Sequence, residues 1–413
     1  LTELGMAECL EGIDSPKITG YGVFHQEEDV HLPYPKSPET GEAPFGRSFH
    51  YGRFIMNLRK FASQQSGLKI IQGAVSKLIE REEGVVTGVN YLDEKNETHS
   101  VTAALTIVAN GAGSGLTKQL NESKPVVAST FVGLVLENAA DKLPYKWHGN
   151  VFLFDPAPVL CYPISSTDVR CLIDFPDKLP NMQDGSMQQF LKEKVCPNLP
   201  ESVHEAFNKA VDAGKIRSVP NREMPADVRF KKKGAILLGD ALNTRHPLTG
   251  GGMTVAFGDC VTLRDLLEEI QDLTDHEAID QAMKKFDQTR KNYASTINIL
   301  ANALYSIFAP GSKPDPMLPY LRKSVFAYFK LGGRCASGPV GLLAGLTRSY
   351  SVLITHFFSV AFVGCFYENI PVPTPASLYR VVSMIRCATF LIGPLIAEEK
   401  VFPWLFPASI FKR

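Results

Sequence analysis

A chain of 413 residues is long enough for two or three domains with a sizeable core. Its 43 basic and 43 acidic side chains balance, so no net field recruits nucleic acid or an acidic partner, and nucleic-acid binding is disfavoured. The eight cysteines (Cys9, Cys161, Cys171, Cys196, Cys260, Cys335, Cys365, Cys387) show no CxxC or other paired short spacing, so they read as reduced core thiols, and no metal site is expected.

Leu1 is not a start methionine, no signal peptide follows it, and no GxGxxG succeeds an apolar strand in the opening segment, so the chain is expected to begin mid-domain. Residues 1–14 read as the end of a helix and a turn, and 18–24 as a strand carrying Tyr21 between glycines. Tyr21 is either a packed aromatic or a site residue, and its phenol needs a partner if buried. From Phe45 a polar turn leads into a helix with Phe54, Leu58 and Phe61 on one face. Arg59 sits beside that face, either as a snorkelling surface residue or as a donor to a cofactor's phosphate or isoalloxazine edge.

Residues 68–75, 84–92 and 100–108 read as strands, the last running into Asn110-Gly111-Ala112-Gly113-Ser114. Residues 126–137, 150–154, 159–164 and 169–175 are strand-like, and 187–195 and 200–213 helical. Together they read as a sheet-based substrate domain inserted between two ligand loops.

The second loop lies in AILLGDALNTRHPLTGGGMTVAF, residues 235–257. A short apolar strand ends in Gly239-Asp240, and Gly250-Gly251-Gly252-Met253 opens a helix. A carboxylate at a strand end can accept from a polyol hydroxyl, and glycines at a helix N-terminus let backbone N–H groups approach an anion. A flavin offers both, a ribityl chain and a phosphate tail. An ordinary glycine-rich βα turn is the bland alternative.

Residues 256–270 and 276–308 read as long helices, with Lys284, Lys285, Arg290 and Lys291 on a solvated face. A proline-rich linker covers 310–319, an amphipathic basic segment 320–329, and Gly332-Gly333 and Gly338-Pro339-Val340-Gly341 read as breaks. Two strongly apolar segments, 352–366 and 378–396, flank a Pro-Val-Pro-Thr-Pro turn, each marginal for the ~20 residues a membrane span needs. They read as a hairpin lying in one leaflet, ended by Phe402, Trp404, Phe406 and Lys412-Arg413 at the interface, or as a core helical pair.

The runs GRSFHYGRFIMNLRK, APVLCYPISS, LLGDALNTRHPLTGGGMTVAF, YFKLGG and GPVGLL resemble squalene epoxidase (squalene monooxygenase) over nearly the whole sequence. That resemblance implies an α/β FAD-dependent monooxygenase fold like that of p-hydroxybenzoate hydroxylase. An inserted substrate β-sheet domain and a C-terminal helical membrane-associated region belong to it, and the first βαβ unit is missing here. The implied division is a flavin-domain part at 1–120, the substrate sheet at 121–225, a second flavin-domain part at 226–309 and the helical region at 310–413. Flavin contacts carry over to Arg59, Val75, Asp240 and Met253, the functional pocket tyrosine to Tyr21, and substrate-pocket positions to Tyr162 and Pro339. Where the family's loop reads Asp-Gly and ends in Arg, this chain has Asn110-Gly111 and Lys118. The implied reaction is epoxidation of squalene to (S)-2,3-oxidosqualene with FAD and O₂. Electrons derive from NADPH through NADPH-cytochrome P450 reductase, at the cytosolic face of the endoplasmic reticulum membrane, the microsome of cell fractionation. The alternatives are a non-catalytic membrane-associated remnant and another flavin hydroxylase of the same class.

Overall fold

The computed structural model describes residues 1–37, 39–81, 84–121, 124–154, 158–224, 232–309, 315–369, 374–401, 406 and 409–410. In chain order its strands are β1 (Lys17–Ile18), β2 (Gly20–His25), β3 (Glu28–Pro33), β4 (Gly46–Arg47), β5 (Ala74–Glu80), β6 (Val86–Leu92) and β7 (Thr98–Thr102). They continue with β8 (Thr106–Val108), β9 (Val126–Leu136), β10 (Gly149–Leu153), β11 (Val159–Pro163), β12 (Val169–Phe175), β13 (Arg217–Glu223) and β14 (Ala235–Leu237). The helices are α1 (Tyr51–Ser63), α2 (Gly115–Leu120), α3 (Ser186–Phe190), α4 (Glu201–Asp212) and α5 (Gly252–Glu268). After them come α6 (His276–Phe308), α7 (Leu318–Lys330), α8 (Gly333–Leu343), α9 (Tyr350–Asn369) and α10 (Pro375–Glu398).

Two compact units share these elements. The first comprises Leu1–Ala7, Asn57–Val127 and Arg222–Asn298. Its antiparallel sheet β5-β6-β7 accompanies a parallel pair, β8 and β14, in register Thr106↔Ala235 to Val108↔Leu237. Val108, Ile236 and Leu237 are buried with Leu116 and Leu120 of α2, Leu263 of α5, and Met283 and Phe286 of α6. The strand expected at 68–75 begins only at Ala74, and Leu68, Ile70 and Ile71 are exposed outside any strand. Apolar residues alone did not fix that register.

Arg290 corrects the solvated-face reading of α6. It is buried, and its Nε lies 2.9 Å from the Asp259 carboxylate of α5, which also accepts from Tyr293 at 2.8 Å. Burial pushes the Asp259 carboxyl up, and Arg290 works against that rise. Removing one partner of a buried pair strands the other's charge or forces it to take a proton, so Arg290→Met should cost about 3–5 kcal/mol. A urea unfolding midpoint equal to wild type would contradict this.

The second unit comprises Glu8–Met56, Ala128–Asn221 and Ile299–Arg413. Its seven-stranded sheet runs β13-β9-β12-β11-β10-β2-β3, with β10 and β2 parallel. Residues 20–33, expected within the first flavin-domain part, therefore join the middle sheet. One face carries Val132, Leu134, Cys161, Cys171 and Ile173 against Val203, Phe207 and Val211 of α4, an i, i+4, i+8 stripe. None of the eight cysteines is in a disulfide, and six are buried.

The C-terminal helices form a second core in this unit, where Ile299, Leu300, Leu342, Leu353, Ile392 and Leu395 pack together. Gly338-Pro339 does not break the chain, since Pro339 lies inside α8. Pro339 is buried there, in a helix that propensity alone disfavours by ~3 kcal/mol. A capping box of Thr374 and Ser377 starts α10. By length and composition Pro375–Glu398 could cross a membrane, yet its Met384, Ala388 and Ile392 are core. Of the expected Pro-Val-Pro-Thr-Pro turn, 371–373 lie outside the described residues, as do Phe402, Trp404 and Lys412-Arg413. Phe406 is buried, which removes it from the expected interface set.

Candidate functional site

In the first unit the two glycine loops leave neighbouring parallel strands at the same end, where Leu238 N donates to Val108 O at 3.0 Å. The carboxyl ends of parallel strands are where open α/β sheets bind ligands. Asn110, after β8, turns its Oδ1 to the Ser114 hydroxyl at 2.9 Å, and Ser114 caps α2 by accepting from Thr117 N. A carboxylate could accept that same bond, so asparagine here keeps the loop's local geometry.

After β14, Asp240 stands exposed on a 3-10 turn, Gly239–Ala241, that packs against α5. Gly250 closes the next turn at φ 65, a left-handed conformation suited to glycine, and Gly251 begins α5 without a side-chain cap. Met253, in the first turn of α5, is exposed. The Thr249 hydroxyl is buried beside this turn with no hydrogen-bond partner among the described residues.

A buried polar cluster, unforeseen in the sequence, underlies the loop. Asn243 Oδ1 accepts from Arg245 at 2.8 Å, Arg290 at 3.0 Å and Asn298 at 3.0 Å, while its amide donates to Met224 O at 2.8 Å. The signal was present: Phe286, Arg290, Tyr293 and Ile297 recur at i, i+4, i+7 and i+11, which puts the arginine on the buried stripe of α6. Arg59 and Val75, also in this unit, are exposed, and Arg59 has no hydrogen-bond or ion-pair partner among the described residues.

In the second unit Tyr21 pairs with Gly149, and extending the Asn150↔Cys161 register by one residue sets Tyr162 on the other side of that glycine. The two tyrosines thus share one sheet face, roughly 10 Å apart by strand spacing. A Cβ at Gly149 would lie 3.2 Å from the Tyr21 ring, so the glycine leaves room for it. Tyr34 meets that ring edge-on at 5.6 Å. Burial, with the Tyr34 phenol, raises the Tyr21 hydroxyl well above its ordinary value. Burial also raises Tyr162, against the pull of Arg170, its partner on β12.

Pro339 lines an apolar cavity of about 50 Å³ with Leu321, Phe329, Leu342 and His356 among others. His356 meets the Tyr328 hydroxyl at 2.7 Å, a polar contact at the wall that the apolar text of α9 concealed. The helix carrying Pro339 packs on β3, the neighbour of the Tyr21 strand. The fold therefore groups Tyr21, Tyr162 and Pro339 in one unit, and Arg59, Val75, Asp240 and Met253 in the other.

A family model described as squalene epoxidase matches residues 102–381. Squalene epoxidase 1 of Arabidopsis thaliana is 44% identical over 411 residues, covering 99% of this chain and 76% of that protein. The squalene monooxygenase of Mus musculus is 41% identical over 406 residues, covering 97% and 69%. Among solved structures, Klebsiella pneumoniae HpxO complexed with FAD and uric acid superposes with a TM-score of 0.61 at 17% identity, over 83% of this chain and 84% of that one. The flavin-dependent brominase Bmp2 gives 0.62 at 13%, over 87% and 85%. These structural likenesses establish the fold, that of FAD-dependent monooxygenases and halogenases.

Proposed function

The chain belongs to the squalene epoxidase family, and from that premise we propose an FAD-dependent monooxygenase that epoxidises squalene in sterol biosynthesis. The observation that carries the cofactor reading is the exposed Asp240 beside the uncapped, glycine-rich start of α5, at the carboxyl end of a parallel strand pair. The unpartnered Thr249 hydroxyl fits it as well. Asp240 would hold ribityl hydroxyls, the α5 N-terminus the electron-rich part of the ring, and Arg59, Val75 and Met253 further edges of the group. When bound, the flavin supplies the two-electron reduction of O₂ that puts one oxygen atom on the alkene and releases the other as water.

The chain's own residues orient the alkene and keep water out. Tyr21 and Tyr162 lie on one sheet face across Gly149, and Tyr21 keeps its proton because burial holds it neutral. Activity should therefore show no limb from this phenol between about pH 6 and 9, a range well below even an unperturbed tyrosine. A wild-type pH profile losing a limb in Tyr21→Phe would contradict that. Pro339 and the cavity around it would take part of the polyene, whose burial at ~25 cal/mol per Å² supplies ample affinity.

We further infer membrane delivery of the substrate at the cytosolic face of the endoplasmic reticulum, with NADPH-derived electrons passed on by NADPH-cytochrome P450 reductase. Family membership supports both, and an apolar stripe supports the first: Phe362 and Phe366 on α9, and Leu378, Val382 and Phe390 on α10, are exposed while the opposite faces are core. The stripe on α10 recurs every four residues, interrupted by Arg386, which lies over the Phe390 ring, as befits an interfacial helix. Replacing Leu378 and Val382 by glutamate should reduce vesicle flotation without unfolding the chain. Equal flotation of wild type and variant would return α9 and α10 to the core-pair reading.

A further inference from the structure

Where the end of β9 passes the C-terminus of α4 and the start of β13, the second unit has an open cavity of about 460 Å³. That volume falls within the ~300–1,000 Å³ of small-ligand sites. Four cations line it, Arg170, Lys209, Lys215 and Arg217, against a single carboxylate, Glu137. In a chain whose charges otherwise balance, this is a local excess. Among the described residues none of the four has an ion pair or a side-chain hydrogen bond. Lys209, Lys215 and Arg217 are exposed, and Lys209, in the last turn of α4, complements the helix dipole. Arg170 is the half-buried member, on β12 opposite Tyr162, with its Nη1 3.9 Å from where a Cβ at Gly133 would lie, so a glycine on the adjoining strand leaves room for the guanidinium at the pocket wall.

Like charges gathered around a concave wall repel one another unless an anion joins them. We propose that this pocket binds a phosphate-bearing ligand, gripped by the planar donors of Arg170 and Arg217 and neutralised by Lys209 and Lys215. A phosphate matches that set better than a carboxylate, because it offers more charge and more acceptor oxygens to two guanidiniums and two ammonium groups. A free phosphorylated molecule and a phospholipid headgroup present the same chemistry. None of its lining residues belongs to a glycine loop or to the Pro339 cavity.

The test titrates the folded full chain with inorganic pyrophosphate by calorimetry, and floats it with phosphatidylcholine vesicles with and without phosphatidic acid. The variants are Lys215→Glu with Arg217→Glu, and Glu137→Gln; Arg170 stays intact because it pairs with the strand position of Tyr162. Pyrophosphate binding should be saturable, weaken about tenfold or more in the double variant, tighten severalfold in Glu137→Gln, and fall with salt. Loss of phosphatidic-acid-dependent flotation in the double variant, with or without pyrophosphate binding, identifies a headgroup. Pyrophosphate binding without such flotation identifies a soluble ligand, and both results uphold the site. No saturable binding in either arm, or binding unchanged in variants whose circular dichroism matches wild type, overturns it.

Discussion

Asp240→Ala is expected to lose its flavin on gel filtration while keeping its fold. Asp240 is exposed and makes no hydrogen bond or ion pair among the described residues. Its removal should therefore change stability by no more than about 0.5 kcal/mol. A charged hydrogen bond to a ribityl hydroxyl is worth roughly 1.5–3 kcal/mol, or between about ten- and a hundredfold in affinity. Loss of flavin absorbance at an unchanged unfolding midpoint would place the carboxylate on the cofactor. Undiminished absorbance would remove it from the site. Asn243→Leu is the useful contrast, since it strips the acceptor from three buried donors and should lower the midpoint along with the flavin content.

Tyr21→Phe is expected to keep the flavin and lose epoxidation. The ring can stay, because the glycine opposite leaves room for it and Tyr34 packs against its edge. Only the hydroxyl goes, and with it a contact that helps to fix the shape of the tyrosine face. If one orienting interaction of ~1.4 kcal/mol is lost, single-turnover product formation falls about tenfold. A raised phenol pKa argues against any role as proton donor, so a structural rescue by a second tyrosine nearby should restore rate without changing the pH profile. Wild-type turnover in the phenylalanine variant would make Tyr21 a packed aromatic, and flavin loss would make it a cofactor residue.

Much of the architecture follows from the text of the chain where periodicity and punctuation agree. The Phe54 face of α1, the helix read at 200–213 and the Gly239-Asp240 strand end stand where periodicity and punctuation put them. Local reading failed where packing between distant segments decides. Residues 20–33 joined the middle sheet because β2 pairs in parallel with β10, more than a hundred residues along the chain. Pro339 stayed helical, buried in the C-terminal core. Arg290 looked like one cation among several, and only its place on the Phe286–Tyr293 stripe, opposite an aspartate on another helix, distinguished it. The strand-end position of Asp240 was legible because strand, turn and glycine-rich helix start lie within one short stretch. The tyrosine row was not, since it assembles Tyr21, Gly149 and Tyr162 from three strands.

The most direct test of the account is a single turnover with ¹⁸O₂. The protein is loaded with FAD, reduced, and given squalene in lipid vesicles. The expected product is 2,3-oxidosqualene carrying one ¹⁸O atom, formed in proportion to bound flavin and absent when the flavin is stripped. Retained flavin with no labelled epoxide, or labelled epoxide independent of flavin content, would contradict it.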